Sequence, residues 1–196
     1  MKATFFERLG AYFLDMIIVS VILSIISLGF GSYTSSTEKL MEELDNKLLA
    51  SELTPEEYLK EYEGLLYDYQ KENVLELGIS VALTIAYYVV FQYLNKGQTL
   101  GKKLLGIKVV DKETKEQISI LKGLLRSLFI LSILSGILNI LFLYITNRNI
   151  YFNIYSSILC IEGAFTLITI MLVLYKKDGR GLHDMMTNTI VIKERR

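Results

Sequence analysis

The sequence predicts an all-α membrane protein: four transmembrane helices, an external acidic helical hairpin and a small cytoplasmic β-element. Three observations lead there. Four apolar windows, at 9–30, 74–94, 124–145 and 150–174, are each long enough to cross a bilayer as a helix at ~1.5 Å per residue. The 196 residues are 52% hydrophobic with a mean hydropathy of +0.37, which fits a small polytopic membrane protein better than a soluble domain. Lys and Arg are also divided unequally: sixteen lie in 1–9, 95–126 and 175–196, whereas five lie in 31–73 and at Arg148. The positive-inside rule then predicts a multi-pass protein of the cell membrane with both termini cytoplasmic.

The whole chain, 1–196, reads as one transmembrane domain. Its 21 basic and 21 acidic residues cancel, so net charge selects no partner, and the cytoplasmic lysines are expected to face lipid headgroups and not nucleic acid. With Cys160 as the one cysteine, neither an internal disulfide nor a cysteine metal site is expected.

The first window, ERLGAYFLDMIIVSVILSIISLGF at 7–30, carries Arg8 at its mouth and Asp15 inside. It exceeds a signal-peptide core and lacks a small-residue cleavage site, so it is expected to be an uncleaved span. A carboxylate inside a span costs on the order of 3 kcal/mol on insertion scales and marks a functional site by default.

Residues 31–73 hold 11 acids and four lysines. Ser35 with Glu38, and Thr54 with Glu57, have capping-box spacing, and Pro55 falls where a first helical residue loses no hydrogen bond. Tyr58, Tyr62, Leu65, Leu66 and Tyr69 then recur at helical spacing, expected to face Leu40, Met41, Leu44 and Leu48. The hairpin's second arm is expected to run unbroken into the second span. Such a hairpin serves as a cation-attracting vestibule, as a docking surface, or only as a solvated pair of helices.

After the second span, 95–123 changes character. Thr99–Leu105 reads as a short interfacial helix with Lys102 and Lys103 able to reach lipid phosphates. Ile107–Asp111 and Gln117–Ile120 read as strands, and Thr189–Lys193 in 175–196 as a third, forming one small cytoplasmic sheet. Tyr93, Tyr144, Tyr151 and Tyr175 at span ends are expected to be interface anchors.

The patterns ERLGAYFLD at 7–15, GQTLGKKLLGIKVVD at 97–111, Arg126 at the start of the third window and GLHDMMTNTIVI at 181–192 together resemble the RDD family of small membrane proteins. That family is named for an arginine and two aspartates, which the resemblance places at Arg8, Asp15 and Asp184. It covers most of the chain apart from the acidic hairpin. The resemblance implies transport of a small ligand, in some members associated with sodium/proton exchange.

The charges can also be read directly. Arg8 and Asp15, seven residues apart, share a helix face, but helical side chains lean toward the N-terminus, so Arg8 leans away from an acid ~10 Å deeper. Asp15 is therefore expected to take its partner from another helix, with Arg126 nearest by depth, leaving Arg8 for Asp184 or lipid phosphate. The cluster Arg8, Asp15, Asp184 and Arg126 reads either as a gate or proton relay, or as a clamp between helices.

Glu162 is the second acid within a span, with no basic residue at its depth. Desolvation disfavours a charged carboxylate there, so a neutral acid or a bound cation is expected. By depth, Ser20, Ser24, Thr84 and Asn139 can complete an oxygen-rich ion or proton site with it. The alternative is a protonated glutamic acid bonded across helices, with Gly136 and Gly163 allowing close approach in either case. His183 and Asp184 are expected to anchor the Gly-flanked segment around them.

No phosphate loop, dinucleotide fingerprint, zinc motif or nucleophile motif is present, so neither catalytic residues nor a cofactor or metal are expected, and the chain is not read as an enzyme. The expected partners are membrane lipids, a small cation or solute as cargo, and a second copy or partner subunit, because four helices make a thin pathway. The expected function is cation- or proton-coupled transport of a small ion or solute. The alternative is a non-transporting accessory protein that docks a partner through the acidic hairpin.

Overall fold

The computed structural model describes residues 1–30 and 36–194. Helix α1, Phe5–Phe30, opens on a reciprocal cap that the sequence reading passed over: Thr4 N–H donates to Glu7 Oε2 at 2.8 Å and Glu7 N–H to Thr4 Oγ1 at 3.3 Å. Helices α2, Ser36–Leu49, and α3, Pro55–Glu72, fold back on each other as a hairpin. Thr54 and Glu57 form the expected capping box with Pro55 in the first turn, while Ser35, the other proposed cap, lies outside the described residues. Leu44 and Leu66 are the buried apolar side chains of the two arms. The second arm does not run unbroken into the next span. Asn73 leaves helical geometry for one residue, and α4, Val74–Ile85, begins beyond it.

From α4 the chain passes through a π-helical stretch, Ala86–Phe91, into the short α5, Gln92–Leu94. The wider π turn buries Tyr87, Tyr88 and Val89, the two tyrosines in one cluster with Val19 of α1. Helix α6, Leu100–Leu104, is capped by Thr99, whose hydroxyl accepts from Lys102 N–H. A Cβ on Gly101 would sit 2.4 Å from the Ala11 carbonyl oxygen, so only glycine lets α6 lie this close to α1.

Strands β1, Ile107–Asp111, and β2, Thr189–Lys193, pair antiparallel with Val109 opposite Val191. Residues 2 and 3 extend the ladder beyond β2, with a bridge from Lys2 to Ile192 and Ala3 N–H bonded to the Val191 carbonyl at 3.1 Å. Ala3, Ala11, Ile107, Val109, Ile118 and Val191 form the core beneath. The expected strand at Gln117–Ile120 is absent. Gln117 makes one isolated bridge to Val110, and Ser119 then caps a helix through Lys122 N–H, which turns Ile120 into a helical residue.

That helix, α7, Ile120–Ile130, is followed by α8, Ile133–Ile145, at an angle of 71°. The third expected span, 124–145, is thus not one rod. Ser132 sits at φ +54°, a left-handed conformation that stops one helix and starts the next. Helix α9, Arg148–Tyr175, is capped by Asn147, and α10, Leu182–Met186, precedes β2. Among the described residues three helical stretches, Phe5–Leu28, Val74–Leu94 and Arg148–Tyr175, are long and apolar enough to cross a membrane, and the bent pair α7 and α8 makes a fourth if taken as one span. The interfaces between them are close: a Cβ on Gly136 of α8 would lie 2.5 Å from Val81 of α4. Gly163 does not serve that purpose, since nothing lies within 4 Å of its missing Cβ.

Candidate functional site

Two cavities hold the residues singled out by the sequence. The first, of about 210 Å³, is lined by Arg8 and Asp15 of α1, Lys102 of α6, Arg126 of α7, Thr169 of α9 and His183 of α10, among apolar side chains.

Beside it, Asp184 is fully buried and held from two sides. Arg8 donates to Asp184 Oδ2 and to the Gly179 carbonyl, and Arg126 Nη2 lies 3.0 Å from Asp184 Oδ1. His183 Nε2 stands 3.3 Å from the same Oδ1, and Gly181 N–H donates to Oδ2 at 3.2 Å. Burial works to raise the Asp184 carboxyl, but the charge of Arg126, the hydrogen bond from His183 and the charge of Arg8 overcome it and hold it well below the usual carboxylate range. Burial pushes the His183 imidazole down, partly offset by Asp184. One carboxylate therefore joins α1, α7 and α10.

Asp15 is not bound to Arg126. Its Oδ1 accepts from Tyr87 hydroxyl at 2.6 Å and Gly101 N–H at 2.7 Å, and its Oδ2 from Thr99 hydroxyl at 2.5 Å. These neutral donors take both oxygens, while Arg126 is spent on Asp184 and on Thr189 Oγ1 at 3.2 Å. The sequence reading missed Tyr87, Thr99 and Gly101, although the latter two stand in the GQTLGKK stretch it quoted.

Lys102 does not face outward to lipid phosphate. Its Nζ turns in, donating to Gln92 Oε1 at 2.7 Å and to Thr99 Oγ1 at 3.3 Å, over the face of Tyr88. Burial pulls this ammonium down to about 7, against the pull of Asp15, with Arg126 and Arg8 adding to the fall. Lys103 is exposed.

The second cavity, of about 230 Å³, is lined by Glu162 and Tyr155 of α9, Thr84 and Ser80 of α4, and Asn139 and Ser135 of α8, again among apolar side chains. Glu162 Oε1 is buried and has no hydrogen-bond partner among the described residues. Thr84 hydroxyl donates to the Ser80 carbonyl at 2.8 Å, and Asn139 is held by Tyr151, whose hydroxyl donates to its Oδ1, and by Gln70 Oε1 at 3.2 Å. Tyr151 is therefore a buried positioning residue and not an interface anchor. Ser20 and Ser24 do not join Glu162. They line a separate groove on the exposed face of α1 with Met16, Ile17 and Val21, because equal depth does not bring equal direction around a helix. Leu131, just before the α7–α8 break, lines both cavities.

The uncharacterized protein YxaI of Bacillus subtilis (strain 168) is 35% identical over 140 residues, covering 69% of this chain and 79% of that protein. No solved structure matches. The profile of the RDD family matches residues 2–188, a range that takes in Arg8, Asp15, Arg126, Glu162 and Asp184, and the chain belongs to the RDD family.

Proposed function

We propose that this protein is a non-enzymatic carrier of the cell membrane, cytoplasmic at both ends with the α2–α3 hairpin outside, that moves a small cation or solute in a cation- or proton-coupled step at Glu162. The observation that carries the reading is Glu162 Oε1, buried without a partner in a cavity whose other walls offer Thr84, Ser80, Ser135 and Asn139. A carboxyl in that setting holds either a proton or a cation, and exchange between the two is what coupling requires. The second support is the discontinuous helix pair: α7 and α8 break where Leu131 divides the two cavities, and broken helices are a recurrent means of placing a site midway across a membrane. The buried Arg8–Asp184–Arg126 cluster acts in this reading as the clamp that keeps the cytoplasmic ends of α1 and α7 together.

The test is flux in proteoliposomes. A pH-reporting dye trapped inside follows proton movement while a sodium gradient is imposed, for the wild type and Glu162→Gln. Loss of sodium-driven proton movement in Glu162→Gln, with the protein still folded, is the expected result; equal movement in both overturns the assignment.

A further inference from the structure

The cavity beside the charged cluster has an excess of positive charge that the clamp does not use. Arg8 and Arg126 both spend themselves on Asp184, and Asp15 is satisfied by three neutral donors. Lys102 is left facing the cavity with no ion pair among the described residues, its Nζ bonded only to the neutral oxygens of Gln92 and Thr99. Around the cavity, Arg8 and Arg126 balance Asp15 and Asp184, so Lys102 in its protonated form is a cation in excess.

The walls add two further facts. Thr169 Oγ1 and His183 Nδ1, on residues 3% and 4% exposed, are buried without a hydrogen-bond partner among the described residues, and both residues line the cavity. A bound acceptor would complete the hydrogen bond that the Thr169 hydroxyl leaves unmade. Apart from Ser127 and Thr166 the rest of the lining is mainly apolar and reaches the exposed surface: Tyr12 of α1 and Ile170 of α9 both line the cavity and are exposed on helices long enough to span. At about 210 Å³ the space holds roughly seven water-sized groups, enough for a phosphate and its first carbons but not for a whole lipid.

We infer that this cavity binds the phosphate of an anionic phospholipid, with the headgroup near Lys102 and Arg126 and the acyl chains leaving between α1 and α9 past Tyr12 and Ile170. The phosphate supplies the negative charge that Lys102 lacks, and its oxygens accept from spare N–H groups of Lys102 and Arg126 and from the Thr169 hydroxyl. The apolar rim is the feature that favours a lipid over free phosphate, which gains nothing from it.

Native mass spectrometry of the whole protein in a neutral detergent tests this with three probes: phosphatidylglycerol, phosphatidylcholine and inorganic phosphate. Phosphatidylglycerol is expected to remain bound at one copy per chain, and the other two to leave at the same concentration. Lys102→Gln is expected to weaken retention about tenfold, the equivalent of one charge-assisted hydrogen bond, and Lys112→Gln, on the exposed turn after β1, to leave it unchanged. Ile170→Trp, at a position 39% exposed at the cavity's edge, is expected to block the mouth and abolish retention while Lys102 stays in place, with an unchanged melting temperature showing that the variant is folded. Equal retention of phosphatidylglycerol and phosphatidylcholine, saturation by inorganic phosphate alone, or wild-type retention in both Lys102→Gln and Ile170→Trp would each overturn the assignment.

Discussion

Tyr87 donates its hydroxyl to Asp15 at 2.6 Å from a π-helical turn, so the acid of the first span is bound by a neutral residue of the second and not by a cation. Asp15→Asn keeps the shape but turns an acceptor into an amide facing the Tyr87, Thr99 and Gly101 donors. It is expected to cost about 1–3 kcal/mol, and Tyr87→Phe about 1 kcal/mol, read as thermal unfolding in detergent. A greater loss in Tyr87→Phe than in Asp15→Asn would contradict this ordering.

Asp184 is the member of the cluster whose removal leaves the most behind. Asp184→Asn strands Arg8 and Arg126 near each other in a buried site, and a loss of about 3–5 kcal/mol is expected. Because the folded carboxyl is held well below its ordinary value, its contribution is fully present above that value and is lost only as pH falls through the lower folded one. Melting curves of wild type and variant should therefore stay apart by a constant interval from neutral pH down to about pH 5.

His183, the chain's single histidine, gives a separate pH signature. Burial lowers its folded value, so the unfolded chain binds the proton more readily, and stability falls as pH drops below the ordinary histidine value of about 6.5. His183→Gln is expected to remove that part of the slope between about pH 7 and 5. Identical slopes in the two proteins would show that His183 is not kept neutral by the fold.

Gly101→Ala and Gly163→Ala form a matched pair. The first would drive a methyl against the Ala11 carbonyl and Asp15 Oδ1, at 2.4 and 2.8 Å, and is expected to cost more than about 2 kcal/mol. The second meets nothing within 4 Å inside a long helix and is expected to be neutral or stabilising by up to about 1 kcal/mol. Melting temperatures decide it.

Leu131→Ala removes the side chain shared by both cavities. In proteoliposomes it is expected to raise uncoupled proton leak several-fold. Leak equal to that of the wild type would mean that Leu131 is not the partition.

The first, second and fourth spans, the Thr54–Glu57 cap and the strands 107–111 and 189–193 were legible because each rests on a local pattern: apolar length, cap spacing, or a β-branched run. The break at Leu131–Ser132 was not, since neither glycine nor proline marks it. The partner of Asp15 was hidden for a different reason. Matching acids to bases by depth overlooks neutral donors, and Tyr87 is aimed by a π turn that has no signature in sequence. Depth also misled for Ser20 and Ser24, which line a separate groove on α1 and not the Glu162 cavity. Arg8 beside Asp184 was reachable from the tilt of helical side chains alone.

The bonds made by residues 2–15 are also an itinerary for biosynthesis. Asp15 waits for Tyr87, Thr99 and Gly101, which arrive midway through synthesis, whereas Arg8 waits for Asp184, and Ala3 for Val191, some 180 residues further on. The first helix must therefore enter the membrane before its partners exist, and Arg8 and Asp15 are settled at different times. A nascent chain stalled between residues 101 and 184 would hold Asp15 in place while Arg8 was still exchanging partners with water and lipid, so protection around Asp15 should appear before protection around Arg8.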